Sequence, residues 1–87
     1  MSTYINQAKD SIKLANEALL ETPPDYGKHQ EFFRKAISFY EQELVGYPDS
    51  DESHLKMGEL RLLLNDKVGA SQDFEKAKEL ANSKASK

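Results

Sequence analysis

The sequence contains no cysteine and no tryptophan, only three prolines and four glycines, and no long apolar run. Without cysteine, a disulfide framework and thiolate chemistry are both excluded. No stretch approaches the roughly eighteen apolar residues of a membrane-spanning helix. Residues 1–12 also lack the continuous apolar segment of a secretory signal peptide. We therefore expect no membrane contact and a cytoplasmic location.

The charge balance is slightly acidic. The 87 residues include 15 acidic and 12 basic side chains, which give a formal net charge of −3. Nucleic-acid binding depends on a basic footprint, which this composition does not favour. We therefore expect no nucleic-acid partner. The length suits a single domain with a modest core.

Apolar residues recur at steps of three and four along four segments, which is the spacing of one face of a helix. The prolines at positions 23 and 24, the Gly46 and Pro48 pair, and the polar residues 65–67 separate these segments. The predicted helices cover about residues 3–21, 28–46, 51–64 and 67–82. No alternating pattern competes with them, so the predicted fold is all-α, with four helices in two antiparallel hairpins. Residues 83–87 are polar and are predicted to form a frayed tail.

A repeat of 34 residues relates the second and fourth helices. It places Ala36 with Ala70 and Tyr40 with Phe74. This is the period of tetratricopeptide repeats. Small residues at such positions let two helices cross closely, and the aromatic residue fills the space between repeats. We therefore expect Ala36, Tyr40, Ala70 and Phe74 to be buried.

Residues 51–81 resemble the tetratricopeptide family closely, since Met57-Gly58 is followed by Ala70, Phe74 and Ala77 at the family's intervals. Residues 1–50 look like a degenerate copy with a longer connector. The resemblance implies one domain over residues 1–82, with a degenerate repeat at 4–48, a clearer repeat at 49–82 and a short solenoid fold. The family implies binding of a protein or peptide on the concave face formed by the first helix of each hairpin.

The repeat geometry predicts which side chains would form that partner-binding face. They come from the first and third helices: Lys9, Ile12, Lys13, Asn16, Glu52, Leu55, Glu59 and Leu62. Leu55 and Leu62 suggest an apolar contact with a partner helix in a groove. The alternative is that these two leucines pack on the first helix.

Some tetratricopeptide proteins clamp a peptide carboxylate with several lysine, asparagine and arginine side chains. Only Asn16 and Lys13 match that pattern here, and Glu52 and Glu59 would repel an anionic tail. We therefore do not expect a carboxylate clamp. The predicted function is that of a protein-binding adaptor or small chaperone-like partner.

The chain offers few groups for chemistry. His29 and His54 are far apart, and a metal site needs three or four converging ligands. We expect no metal, no cofactor and no enzyme activity. The segment from His54 to Gly58 faintly resembles the phosphoacceptor stretch of histidine phosphotransfer proteins, although Lys56 comes one residue early. Phosphotransfer through His54 is therefore the alternative function, and a half-buried packing role is the simpler interpretation of this residue.

Two repeats leave apolar surface that a neighbour normally covers, because about three repeats are usually needed for independent stability. The second helix carries Phe32 and Phe39 outside its main apolar face. The missing cover would come from a second protein, either a heterologous partner or another copy in a homodimer. The alternative is that the long first helix and connector cover the excess within one chain.

Overall fold

The computed structural model describes residues 3–85 and contains four α-helices in that range. They are α1 (Thr3–Ala18), α2 (Tyr26–Gly46), α3 (Asp51–Leu63) and α4 (Lys67–Ala85). No strand occurs among these residues. The all-α prediction and the number of helices are confirmed.

The helices pack in consecutive pairs. α1 lies against α2 and α3 lies against α4, while a smaller contact between α2 and α3 joins the two hairpins. The molecule is elongated, with extents of 50 × 28 × 17 Å. The predicted pair of helical hairpins is therefore confirmed.

The first connector begins and ends earlier than predicted. α1 stops at Ala18 instead of residue 21, and the amide nitrogens of Leu19 and Leu20 bond to carbonyl oxygens three residues back. α2 begins at Tyr26 instead of residue 28 because the Asp25 side chain accepts a hydrogen bond from the Lys28 amide at 2.9 Å. The aspartate side chain satisfies an amide of the first turn, which fixes the helix start.

The connector between α3 and α4 is a tight turn built on side-chain capping. Asn65 has a φ of 67°, a left-handed conformation that asparagine tolerates better than most residues. The next residue, Asp66, accepts a hydrogen bond from the Gly69 amide at 3.0 Å and so caps α4. At the other end of α3, the Ser50 hydroxyl accepts from the Ser53 amide.

The polar C-terminal segment is helical further than predicted. α4 continues through Ala85, so the predicted tail is wrong for residues 83–85, while residues 86 and 87 lie outside the described range. Lys84 donates a hydrogen bond to the Asp51 carboxylate at 2.6 Å. This contact gives the last turn of α4 a partner at the start of α3.

The core lies where α1, α2 and α3 meet. Its buried members are Ala8, Ala15, Phe33, Ala36, Ile37, Tyr40, Met57 and Leu60. Phe32 and Phe39 of α2 are partly buried and pack against this cluster.

The burial prediction is correct for three of its four residues. Ala36, Tyr40 and Ala70 are buried, but Phe74 is only half-buried. Tyr40 lies beneath α3, the next helix in the chain. The Phe74 ring lines two open depressions at the surface.

None of the helices described over residues 3–85 is long and apolar enough to cross a bilayer.

Candidate functional site

His54 belongs to a polar cluster between α3 and α4. Its Nδ1 atom lies 3.6 Å from the Asp73 carboxylate, and Arg61 donates a short hydrogen bond to the other oxygen of Asp73. Arg61 also lies near the carboxylates of Glu41 at 3.7 Å and Asp66 at 3.9 Å. The cluster therefore joins α2, α3 and α4 through one arginine.

The surroundings of His54 favour a packing role. Its side chain is 17% exposed, and its buried Nδ1 has no hydrogen-bond partner among the described residues. A phosphoryl group on this ring would stand near the buried carboxylate of Asp73, which repels an anion. No observation in the structure favours phosphotransfer over packing.

His29 has a structural contact of its own. Its Nδ1 atom lies 2.7 Å from the carbonyl oxygen of Ala15, and its ring lies 4.3 Å from the ring of Phe33 between centroids. The contact with Ala15 attaches the first turn of α2 to α1, whereas the ring contact lies within α2. Across residues 3–85, the histidine, aspartate and glutamate side chains form no group of three that could hold a metal ion.

A groove runs between α1 and α3, with α2 as its floor. We call it the α1–α3 groove, and its volume is about 270 Å³. Its lining consists of Lys9, Ile12, Asn16, Phe33, Tyr40, Lys56, Glu59, Leu60 and Leu63. Four of the eight predicted partner-binding residues, namely Lys9, Ile12, Asn16 and Glu59, therefore come together here.

Small residues explain why the groove opens where it does. Ala8 and Ala15 are fully buried and lie two turns apart on α1, and Ala36 is fully buried on α2. Such residues let two helices approach closely. α1 and α2 are therefore tightly paired, whereas α1 and α3 are separated by the α2 side chains Phe33 and Tyr40.

The other predicted leucines lie elsewhere. Leu55 and Leu62 line two shallow depressions beside Phe74 of α4, on a part of α3 that does not face α1. We call Leu55, Leu62, Ala70, Phe74, Ala77 and Ala81 the Phe74 surface. These two leucines do not line the α1–α3 groove. Lys13 and Glu52 are exposed and line neither region.

The α1–α3 groove is lined by two basic side chains and one acidic side chain. Lys56 and Glu59 form an ion pair one turn apart at 3.6 Å. Lys9 has no carboxylate within ion-pair distance among residues 3–85. The groove therefore carries one unmatched positive charge in a protein whose net charge is −3.

The floor of the groove contains an unusual polar group. The Tyr40 side chain is fully buried, and its hydroxyl oxygen has no hydrogen-bond partner among the described residues. Burial raises the pKa of this phenol, and the carboxylates of Glu52 and Glu59 raise it further. The hydroxyl therefore stays protonated at neutral pH and remains a hydrogen-bond donor.

The residues missed by the sequence prediction come mostly from α2 and from one side of α3. Phe33 and Tyr40 are spaced seven residues apart, so they share the face of α2 that lies under both neighbours. Lys56 and Leu63 share the corresponding spacing on α3. The sequence shows this spacing. It does not show how α3 is rotated about its axis, and therefore not which of its residues face α1.

Comparison with known protein families, with curated proteins and with solved structures finds no match to this chain.

Proposed function

We propose that this protein is a tetratricopeptide-like interaction module that binds a segment of another protein in the α1–α3 groove. The observation that carries the proposal is the groove between the first helices of the two hairpins. Its apolar lining includes Ile12, Leu60 and Leu63, and Leu63 is 68% exposed. Exposed apolar side chains in a concave surface with polar neighbours suit a peptide ligand.

The repeat relationship is consistent with the burial of matched residues. Ala36 and Ala70 lie 34 residues apart and are both buried. Tyr40 and Phe74 have the same spacing, although Tyr40 is buried and Phe74 is only half-buried. The shared burial of the two alanines supports a repeat architecture.

A binding role, without enzyme activity, fits the placement of the histidines, since both take part in packing contacts. The partner that we propose is a protein or peptide, not nucleic acid or a membrane. The proposed cytoplasmic location rests on composition.

The proposal can be tested with two neighbouring leucines on α3. Leu63 lines the α1–α3 groove, whereas Leu62 lines the Phe74 surface and is 52% exposed. Immobilised wild-type protein, Leu63→Glu and Leu62→Glu are used to capture proteins from a cell extract, with quantification by mass spectrometry. We expect a set of proteins that wild type and Leu62→Glu retain and Leu63→Glu loses.

Both substitutions place a carboxylate at an exposed leucine of the same helix, so each variant controls for the other. Circular dichroism verifies that both remain helical. Loss of the captured proteins with Leu62→Glu but not with Leu63→Glu would move the binding site to the Phe74 surface and contradict the proposal.

The Phe74 surface bears on the proposed homodimer. Light scattering over a range of concentrations compares the mass of wild type with that of Leu62→Glu. A wild-type mass above 9.9 kDa that Leu62→Glu returns to the monomer value would assign this surface to a second copy. A constant monomer mass for both would leave only a heterologous protein as the partner.

A further inference from the structure

The connector between α1 and α2 is exposed along its whole length. We call residues 21–27 the proline connector; all of them are exposed, and Tyr26 at the start of α2 is 66% exposed. Its central sequence is Pro23-Pro24-Asp25-Tyr26, which contains two of the three prolines of the chain. Two pyrrolidine rings and one phenol ring are therefore accessible to solvent within four residues.

We propose that the proline connector is a docking segment for a WW-type domain, a proline-recognition module whose binding groove is lined by aromatic side chains. The rings of Pro23 and Pro24 pack against the aromatic side chains of that groove, and Tyr26 enters an apolar pocket beside them. The proline connector shares no residue with the lining of the α1–α3 groove. The inference therefore goes beyond the proposed function and does not depend on it.

The backbone of the proline connector suits an aromatic-lined groove. Proline fixes φ at about −65°, and a residue that precedes proline is restricted to the extended region, so Pro23 is constrained at both angles. Asp25 is extended as well, with φ −100° and ψ 91°. These constraints favour the extended polyproline form, which is the conformation that such grooves bind.

Both ends of the proline connector are attached to α1. The amides of Glu21 and Asp25 both donate to the carbonyl oxygen of Ala18, at 3.4 and 3.0 Å. One turn into α2, the Nδ1 atom of His29 lies 2.7 Å from the carbonyl oxygen of Ala15. The prolines lie between these attachments, so they lose less conformational entropy on binding than the same residues in a free peptide.

The three rings border one region of the surface. Pro23, Pro24 and Tyr26 line the same shallow depression. One partner can therefore contact all three rings at once.

The charged side chains of the proline connector already have contacts within the chain. Glu21 pairs with the Lys28 ammonium at 3.4 Å, and the Asp25 carboxylate accepts a hydrogen bond from the Lys28 amide at 2.9 Å. The apolar rings and the carbonyl oxygens between them remain for recognition. Proline has no N–H, so the partner supplies the donors, and tryptophan and tyrosine offer both an aromatic face and a donor.

The spacing of the prolines favours the WW type over domains that require two prolines three residues apart, such as SH3 domains. No proline lies three residues before or after Pro23 or Pro24. The connector between α2 and α3 provides a comparison within the chain. It contains the exposed residues Tyr47 and Pro48, but it has a single proline and the opposite order.

The test titrates the isotope-labelled intact protein with a panel of isolated WW domains and, in parallel, of SH3 domains. Each domain is first shown to bind a proline-rich peptide. We expect a WW domain to bind with chemical-shift changes concentrated on residues 21–27, and no SH3 domain to bind. Calorimetric titration should show that Tyr26→Ala and Pro24→Ala each weaken binding about tenfold or more, the usual effect of truncating a central contact residue.

Tyr47→Ala is the matched control. Tyr47 is 63% exposed, close to the 66% of Tyr26, and it also neighbours a proline, so its removal should leave the affinity unchanged. Circular dichroism verifies that the three variants keep the helix content of wild type. All three positions are exposed, so we expect no loss of folding.

Leu63→Glu separates this inference from the proposed function. It changes the α1–α3 groove and should bind the WW domain as tightly as wild type, so either proposal can fail without the other. Absence of binding to every WW domain of the panel would overturn the inference. Binding that survives both Tyr26→Ala and Pro24→Ala, or that is lost with Tyr47→Ala, would also overturn it, as would binding of SH3 domains alone.

Discussion

The ring of Phe74 packs directly on Gly58. A Cβ atom built at Gly58 would lie 2.8 Å from Cε1 of Phe74 and 2.9 Å from its Cδ1. Real Cβ atoms almost never come this close to another heavy atom. The absence of a side chain at position 58 therefore sets the separation of α3 and α4, and with it the position of the Phe74 surface.

Gly58→Ala should destabilise the protein despite improving helix propensity. Alanine gains about 1 kcal/mol over glycine inside a helix, but overpacking costs about 1–3 kcal/mol. We expect a net loss of about 1 kcal/mol in the free energy of unfolding, measured by urea denaturation. Gly46→Ala is the control, because nothing lies within 4 Å of a Cβ at that position.

A double-mutant cycle identifies the Phe74 ring as the cause. In the Phe74→Ala background the ring is gone, so Gly58→Ala should stabilise the protein or leave it unchanged. An equal loss in both backgrounds would mean that the ring does not limit the approach of α3 and α4.

Phe74→Ala should cost less than the same substitution in the core. Phe33 is 4% exposed and belongs to the core, so Phe33→Ala should cost about 3–5 kcal/mol. Phe74 is half-buried, and about 1.5–3 kcal/mol is expected for it. Urea denaturation of both variants compares the two losses. A larger loss for Phe74 than for Phe33 would mean that the Phe74 surface is covered in solution.

From the raised pKa of the Tyr40 phenol we expect the protein to lose stability at alkaline pH. Its pKa is raised above the ordinary 10.0 in the folded protein, so the folded state favours the protonated form. The stability that depends on this proton is present below pH 10.0 and is lost as the pH rises through the higher folded-state pKa.

The measurement compares the unfolding free energies of wild type and Tyr40→Phe as a function of pH. The difference between them should be constant below pH 10.0 and should grow in favour of Tyr40→Phe above it. The tyrosinate absorbance reports when ionisation of the tyrosines is complete. If the difference in unfolding free energy between wild type and Tyr40→Phe stays constant up to that pH, the raised pKa of Tyr40 is contradicted.

Asp73 and Glu41 both pair with Arg61, and Asp73 should contribute more to stability than Glu41. Asp73→Ala removes a buried carboxylate from Arg61 and His54, with an expected loss of about 1–3 kcal/mol. Glu41→Ala removes an exposed carboxylate from Arg61 and should cost about 0–1 kcal/mol. Thermal unfolding of both variants provides the comparison, and equal losses would mean that the buried position of Asp73 adds nothing.

Helix number and pairing were predictable from sequence because apolar periodicity and turn residues agreed. The helix ends were not. Asp25 starts α2 two residues early through a cap. α4 continues beyond its apolar pattern to the turn where Lys84 contacts Asp51, 33 residues away in sequence. The first effect depends on which of several polar residues forms the cap, and the second accompanies a tertiary contact. Local sequence patterns specify neither.

The candidate site was half predictable for a similar reason. Helix periodicity places Lys9, Ile12 and Asn16 on one face of α1, and Glu59 of α3 lines the same groove. Leu55 and Leu62 are spaced as regularly, but they line the Phe74 surface instead. Helix periodicity does not specify the rotation of α3 about its axis, which decides which of its residues face α1.

The binding role of the α1–α3 groove is tested most directly by mapping a bound partner segment on the isotope-labelled protein. The segment comes from a protein that wild type and Leu62→Glu capture and Leu63→Glu does not. We predict that its chemical-shift changes concentrate on the residues that line the groove, Lys9, Asn16, Lys56 and Leu63 among them. Changes concentrated on Leu55, Leu62 and Phe74 would contradict the proposal and assign binding to the Phe74 surface.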